Sequence, residues 1–238
     1  MKINVITIFP EVMESILSMG MLAIAAKKGI ASYRCVSPRE FTSDAHRTVD
    51  DEPYGGGAGM VMMAPPIVDA VESLEREPGS PVILLSPEGQ RFDQDVARRF
   101  AGERELTFIC GRYKGVDERI RELVVTDVVS TGDYILSGGE LAAAVCIEAS
   151  VRLLGDVLGN EDSKDTDSFE AGRGGLLDCA WYTRPLEYRG LRVPDVLISG
   201  HHQEIEKWRK ESSRSRTRRF RPDLIKEKDQ NRSTEVSE

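Results

Sequence analysis

Cysteine is scarce and scattered in this chain: Cys35, Cys110, Cys146 and Cys179 are the four in 238 residues. No two stand at metal-ligand spacing, so a zinc site is not expected, and a chain of this size does not need a disulfide framework. Three of the four have apolar neighbours and read as reduced, mainly buried fillers. No apolar run approaches the roughly 20 residues that would span a bilayer. The run Ile3 to Phe9 is short and is followed at once by Pro10 and Glu11, so it is not expected to be a signal peptide, and a cytoplasmic location is expected. Aromatic residues make up 6% and are not clustered, which argues against a base-stacking platform.

What is present is a balance of 40% hydrophobic and 30% charged residues, suited to a soluble globular protein. The length allows one large domain, or one domain with a small helical one beside it. A net charge of −8 excludes a generally basic nucleic-acid binder. The charge is unevenly placed, however. From Lys207 to Arg221 there are eight basic residues and one acid, Glu211, so this stretch carries +7 and the rest of the chain −15. Such a segment is either a phosphate contact or else a solvated helix face or a loose tail.

Short β-branched runs alternate with helical patterns over the first two-thirds. Strands are expected at Lys2–Ile8, Ser32–Ser37, Pro81–Ser86, Leu106–Gly111 and Val124–Ser130. Helices are expected at Glu11–Lys28, Pro65–Glu77, Asp93–Ala101, Val116–Leu123 and Gly139–Leu154, with Pro10 at a start and Gly29 at a stop. This alternation implies an α/β fold with a mainly parallel sheet covered on both faces. Residues 160–175 are polar, acidic and glycine-rich and read as a flexible linker. Beyond it, HHQEIEKWRKES is helical in pattern, and a second helix is expected at Asp223–Lys228. The chain thus divides into 1–159, the linker 160–175, and 176–238.

Three glycine-rich segments stand out. Residues 49–60, VDDEPYGGGAGM, could cradle a phosphate. They lack the Lys-Ser or Lys-Thr of a P-loop, and the dinucleotide fingerprint counted from Gly55 fails at Met60. A tight structural turn is the plainer reading. Residues 110–119, CGRYKGVDER, follow a strand and precede a helix, which places Gly111 and Tyr113 where ligands meet open α/β sheets. Residues 130–140, STGDYILSGGE, offer backbone N–H and C=O groups able to read an adenine edge, or else a glycine turn at a helix start. Asp167, in the acidic linker, and Arg152, late in an apolar helix, would pass locally for solubilising surface charges.

Taken together and in order, ITIFPE, SPREFTSDAHRTVDDEPYGGGAGMVMM, LLSPEGQ, CGRYKGVDERI, STGDYILSGGELAA, DVLGNEDS, DSF, LLDCAWYTRP, VPDVLISGHH and EIEKWR resemble the bacterial tRNA (guanine-N1)-methyltransferases, from about residue 3 to 210. The resemblance implies a SPOUT fold, an α/β domain with a deep trefoil knot, and a small, mostly helical C-terminal domain. Knots are rare, and only the resemblance brings one into view. It implies S-adenosylmethionine held in the knot loops by Leu84, Leu85, Ser86, Pro87, Gly111, Tyr113, Ser130, Thr131, Gly132, Asp133, Tyr134, Ile135, Leu136, Gly138 and Gly139. It implies a homodimer with the active site at the interface, and tRNA gripped by the basic segment through Arg214, Arg216 and Arg218. The methyl group would go to N1 of the guanine immediately 3′ of the anticodon, position 37. By resemblance Asp167 is the general base and Arg152 stabilises charge on O6. Members of that family commonly carry Glu where this chain has Lys114, and proline where it has Ala58 and Ala142; Glu170–Gly174 lengthens the usual linker. The sequence neither requires nor excludes a magnesium ion.

Two other classes are weighed against this. A Rossmann-like cofactor enzyme would need an intact glycine fingerprint with an acid about 20 residues on. An RNA-binding module without catalysis would need stacking aromatics or a broadly basic face. Binding of S-adenosylmethionine without RNA separates the second from a methyltransferase.

Overall fold

The structure, a computed structural model, describes residues 1–157, 167–170 and 174–225. The chain forms two compact units, Met1–Gly159 and Asn160–Glu238.

The first unit is built on five strands: β1 (Lys2–Ile6), β2 (Ser32–Val36), β5 (Val82–Arg91), β6 (Glu105–Ile109) and β7 (Asp127–Ser130). They pair in parallel in the order β2-β1-β6-β5-β7. Side chains alternate between faces with a period of two. Ile3, Val5, Ile83, Leu85, Leu106 and Phe108 thus enter one core, while Ile6, Val82, Leu84 and Ile109 enter another. Both faces of a parallel sheet are covered by its crossovers. The first core is closed by α1 (Pro10–Leu17), α2 (Gly20–Lys27), α4 (Gln94–Ala101) and α6 (Glu140–Val151). The second is closed by α3 (Ala64–Glu72) and α5 (Arg119–Leu123). A short antiparallel pair, β3 (Asp50–Asp51) with β4 (Val61–Met62), brackets the glycine segment.

Each helix has a local cause. Proline opens α1 and α3 within the first turn, where its missing N–H costs nothing. Asp93 caps α4 by accepting from the N–H groups of Asp95 and Val96 at 3.0 Å each. The helix expected at Glu11–Lys28 is in fact two. Ser18 ends α1, and Gly20 takes φ +55, a left-handed turn the right-handed helix cannot absorb. Apolar periodicity runs through that break because Leu17 and Leu22 both reach the same core. The other ends shift by a few residues, and β5 extends past Ser86 to Arg91.

The second unit holds a hairpin, β8 (Glu187–Tyr188) with β9 (Leu191–Arg192), a short helix α7 (Asp195–Ile198) and the long helix α8 (His202–Phe220). The helical pattern seen over HHQEIEKWRKES therefore continues for two more turns. α8 is strapped to the preceding segment by hydroxyls. Thr217 accepts from the Leu177 N–H at 3.0 Å, Ser213 donates to the Leu177 carbonyl at 2.5 Å, and Ser212 accepts from the Ala180 N–H at 3.0 Å. A helical turn begins at Asp223; the rest of the helix expected to Lys228, and most of the expected linker, lie outside the described residues.

Candidate active site

The C-terminal ends of β5, β6 and β7 lie side by side, because all three strands run the same way. Loops leaving such an edge converge. They enclose a cavity of about 390 Å³, within the range of small-molecule sites.

Three features shape it. In β5, Leu85 and Gln90 are both in register with Val129, so Ser86–Gly89 bulges out of the ladder. Gly89 makes this possible: a Cβ there would lie 2.4 Å from the Val129 nitrogen. The segment after β7 then crosses the end of β6. The Gly139 N–H donates to the Gly111 carbonyl at 2.9 Å, and Arg112 bridges Gly138. A Cβ at Gly139 would stand 2.8 Å from the Cys110 Cα, so the two backbones touch. Within the crossing segment, Gly132 at φ +143 lets the Tyr134 ring lie where a Cβ would be 2.8 Å from it.

Charges on the wall are mostly paired. Arg121 meets Glu88 at 2.6 Å and Glu118 at 3.2 Å. Arg112 stacks over the Phe9 ring at 4.3 Å and meets the buried Glu140 at 3.4 Å. Glu140 also accepts from the Thr7 hydroxyl at 2.8 Å. Burial, with Glu140 nearby as a second cause, holds the Cys110 thiol well above its ordinary range. Tyr113 takes φ +60, and burial first and Asp50 second raise its phenol.

Fourteen of the fifteen residues expected at a cofactor line this cavity, from Leu84 to Gly139; Asp133 is exposed and does not. Sequence reasoning missed Glu88, Arg112, Arg121 and Glu140, which build or brace the wall. Arg112 lies inside the segment CGRYKGVDER. Nothing local in the sequence points to Glu140 or Thr7. Arg152 follows the last residue of α6, and Gly139, just before the first, lines the cavity. Twelve helical residues separate them by about 18 Å along the axis, so Arg152 is not part of the cavity wall. Asp167 belongs to the second unit. Arg214, Arg216 and Arg218 are all exposed on α8. Residues two apart on a helix do not share a face, and Arg216 points about 200° away from Arg214. Lys207, Lys210, Arg214 and Arg218, spaced by three or four, make one basic stripe instead.

No helix among the described residues is long and apolar enough to cross a membrane. Nor do three or more metal-ligating side chains come together among them.

Residues 1–227 match the family described as tRNA (Guanine-1)-methyltransferase TrmD. Among curated proteins, the chain is 50% identical over 227 residues to one from Halalkalibacterium halodurans, covering 94% of this chain and 91% of the relative. It is 51% identical over 227 residues to one from Anoxybacillus flavithermus, with 94% and 91% covered. A third, from Geobacillus kaustophilus, is 50% identical over 228 residues, with 95% and 92% covered. All three are named tRNA (guanine-N(1)-)-methyltransferase.

Proposed function

This chain belongs to the tRNA (guanine-1)-methyltransferase family, and from that premise we propose that it transfers a methyl group from S-adenosylmethionine to N1 of guanine at position 37 of tRNA. The observation that carries the reading is the single cavity formed by the three loops expected to hold the donor. Its wall suits such a molecule. Leu84, Leu85, Val129 and Ala142 are apolar, while Gly111, Ser130 and Gly138 bring peptide edges that can pair with a purine.

S-adenosylmethionine, when bound, supplies an electrophilic methyl group on a sulfonium. Guanine N1 carries a proton and is a poor nucleophile until it is lost. Asp167 takes that proton as the N1 electron pair forms the bond to the methyl carbon, and the carbon–sulfur bond would break with its electron pair left on sulfur, so that the donor leaves as the neutral thioether S-adenosylhomocysteine. Arg152 steadies the negative charge that builds on O6. The walls of the cavity contribute alignment for an in-line displacement.

The proposal extends to the trefoil knot and to a homodimer. In support of the knot, the chain after β7 crosses β5 to lie against the end of β6 before entering α6. In support of a dimer, Val12, Met19, Leu141 and Val145 stand exposed on or beside the packed helices α1, α2 and α6. The separation of Arg152 from the cavity is accounted for when a second copy supplies that arginine. The stripe on α8 is assigned to tRNA phosphates.

The test is a methylation assay read by nucleoside mass spectrometry. The chain is incubated with S-adenosylmethionine and unmodified tRNA, with a tRNA lacking guanine at position 37 as control. N1-methylguanosine in the first tRNA only is the expected result. Product in both, or in neither, would overturn the assignment.

A further inference from the structure

The glycine segment 55–59 has no part in the chemistry above, and its neighbour explains it. Gly55, Gly56, Gly57 and Gly59 all have positive φ. The segment is tied to the loop after β6. The Lys114 N–H donates to the Met60 carbonyl at 3.0 Å, and the Met62 N–H donates to the Gly115 carbonyl at 3.0 Å. Lys114 then lies along the segment. A Cβ at Gly59 would be 3.1 Å from its Cγ and 3.3 Å from its Cδ, and one at Gly57 would be 3.9 Å from its Nζ. Gly57 and Gly59 therefore form a trough for the lysine stem.

Lys114 also lines the cavity. The other two cations of the wall are engaged, Arg112 by Glu140 and Arg121 by Glu88 and Glu118. Among the described residues, the Lys114 ammonium has no ion-pair or hydrogen-bond partner. An anion entering this cavity meets one cation that no carboxylate already neutralises. Resting on the methyl-donor reading, we propose that Lys114, seated on Gly57 and Gly59, binds the α-carboxylate of the donor. That carboxylate is the donor's only anionic group, and an ammonium held by its stem meets it with less ordering cost than a free lysine.

The experiment measures binding of S-adenosylhomocysteine and 5′-methylthioadenosine to the full chain by calorimetry. Both carry the nucleoside, and only the first has the carboxylate. Lys114→Met is expected to weaken S-adenosylhomocysteine about fivefold, the upper range for a solvent-accessible ion pair, and to leave methylthioadenosine unchanged. Gly59→Ala and Gly55→Ala separate seating from strain. Their φ values are +90 and +87, yet nothing lies within 4 Å of a Cβ at Gly55. Gly59→Ala is expected to follow Lys114→Met, and Gly55→Ala to keep the wild-type preference. Unchanged S-adenosylhomocysteine binding in Lys114→Met would overturn the proposal. If that variant instead weakened only tRNA binding, the lysine would belong to RNA phosphate and the proposal would equally fall. Failure of the wild-type chain to bind either nucleoside would overturn the donor reading itself.

Discussion

The Thr7 hydroxyl donates to the Glu140 carboxylate at 2.8 Å across 133 positions of sequence. It joins the end of the first strand of the sheet to the first residue of the helix that leaves the cavity. Arg112 approaches the same carboxylate at 3.4 Å, and Gly138 passes between them with no room for a Cβ. One buried acid thus holds the crossing segment down on the end of β6.

Glu140→Gln keeps the shape and removes the charge. Arg112 is then left partly buried beside a neutral amide, a loss of about 2 kcal/mol. Urea denaturation is expected to show that loss, with weaker binding of S-adenosylhomocysteine. Wild-type stability would remove Glu140 from its bracing role.

Gly89→Ala should cost about 2 kcal/mol or more, because its Cβ meets the backbone of β7, which cannot swing aside. Gly155→Ala is the matched control, with nothing within 4 Å of its Cβ, and should be close to neutral. Thermal unfolding of the two variants side by side checks the contrast.

Glu105 gives the fold a pH dependence. Burial alone would raise its carboxyl, but the Glu77 N–H, the Asn4 amide and Lys2 outweigh burial and hold it below the usual glutamate value. A depressed folded pKa stabilises above the unfolded value, near 4.3, and the gain disappears as pH falls through the folded value. Stability measured from pH 6 down to pH 3 should therefore fall less steeply in Glu105→Gln than in the wild type. Parallel curves would show that Glu105 does not contribute.

The stripe on α8 separates arginines that look equivalent in sequence. Replacing Arg214 and Arg218 together by Gln should flatten the salt dependence of tRNA binding by about 1.5 to 2 in log–log slope. Arg216→Gln should leave the slope alone, since that side chain lies across the helix, 5.8 Å from the Phe220 ring. Filter binding between 50 and 200 mM salt would be the measurement, and equal effects of all three would discard the stripe.

Asp167→Ala should lower single-turnover methylation by a factor of about 10² to 10⁴, the usual contribution of a general base. Affinity for S-adenosylhomocysteine should not change. Near-normal turnover would move the base elsewhere.

Much of this was legible in the chain. Alternating short apolar runs and helical periods gave a parallel sheet, because a period is a local property. The glycine-rich motifs marked the strand ends at which the cavity forms. The break at Gly20 was missed because both flanking helices bury the same kind of residue. What surrounds the cavity is not local. Glu140 reads as any helix-start acid until the order β2-β1-β6-β5-β7 carries Thr7 and Arg112 to it. Lys114 stands out in the sequence as a charge reversal, but only the fold lays its stem along Gly59. Sequence by itself determined the five strands of the parallel sheet, most of its helices and the glycine-rich loops at its strand ends, since neighbours along the chain set backbone preference. Tertiary structure alone decided which charges on the cavity wall meet and that, among the described residues, Lys114 is the wall cation left over, since strand order brings together residues more than a hundred positions apart.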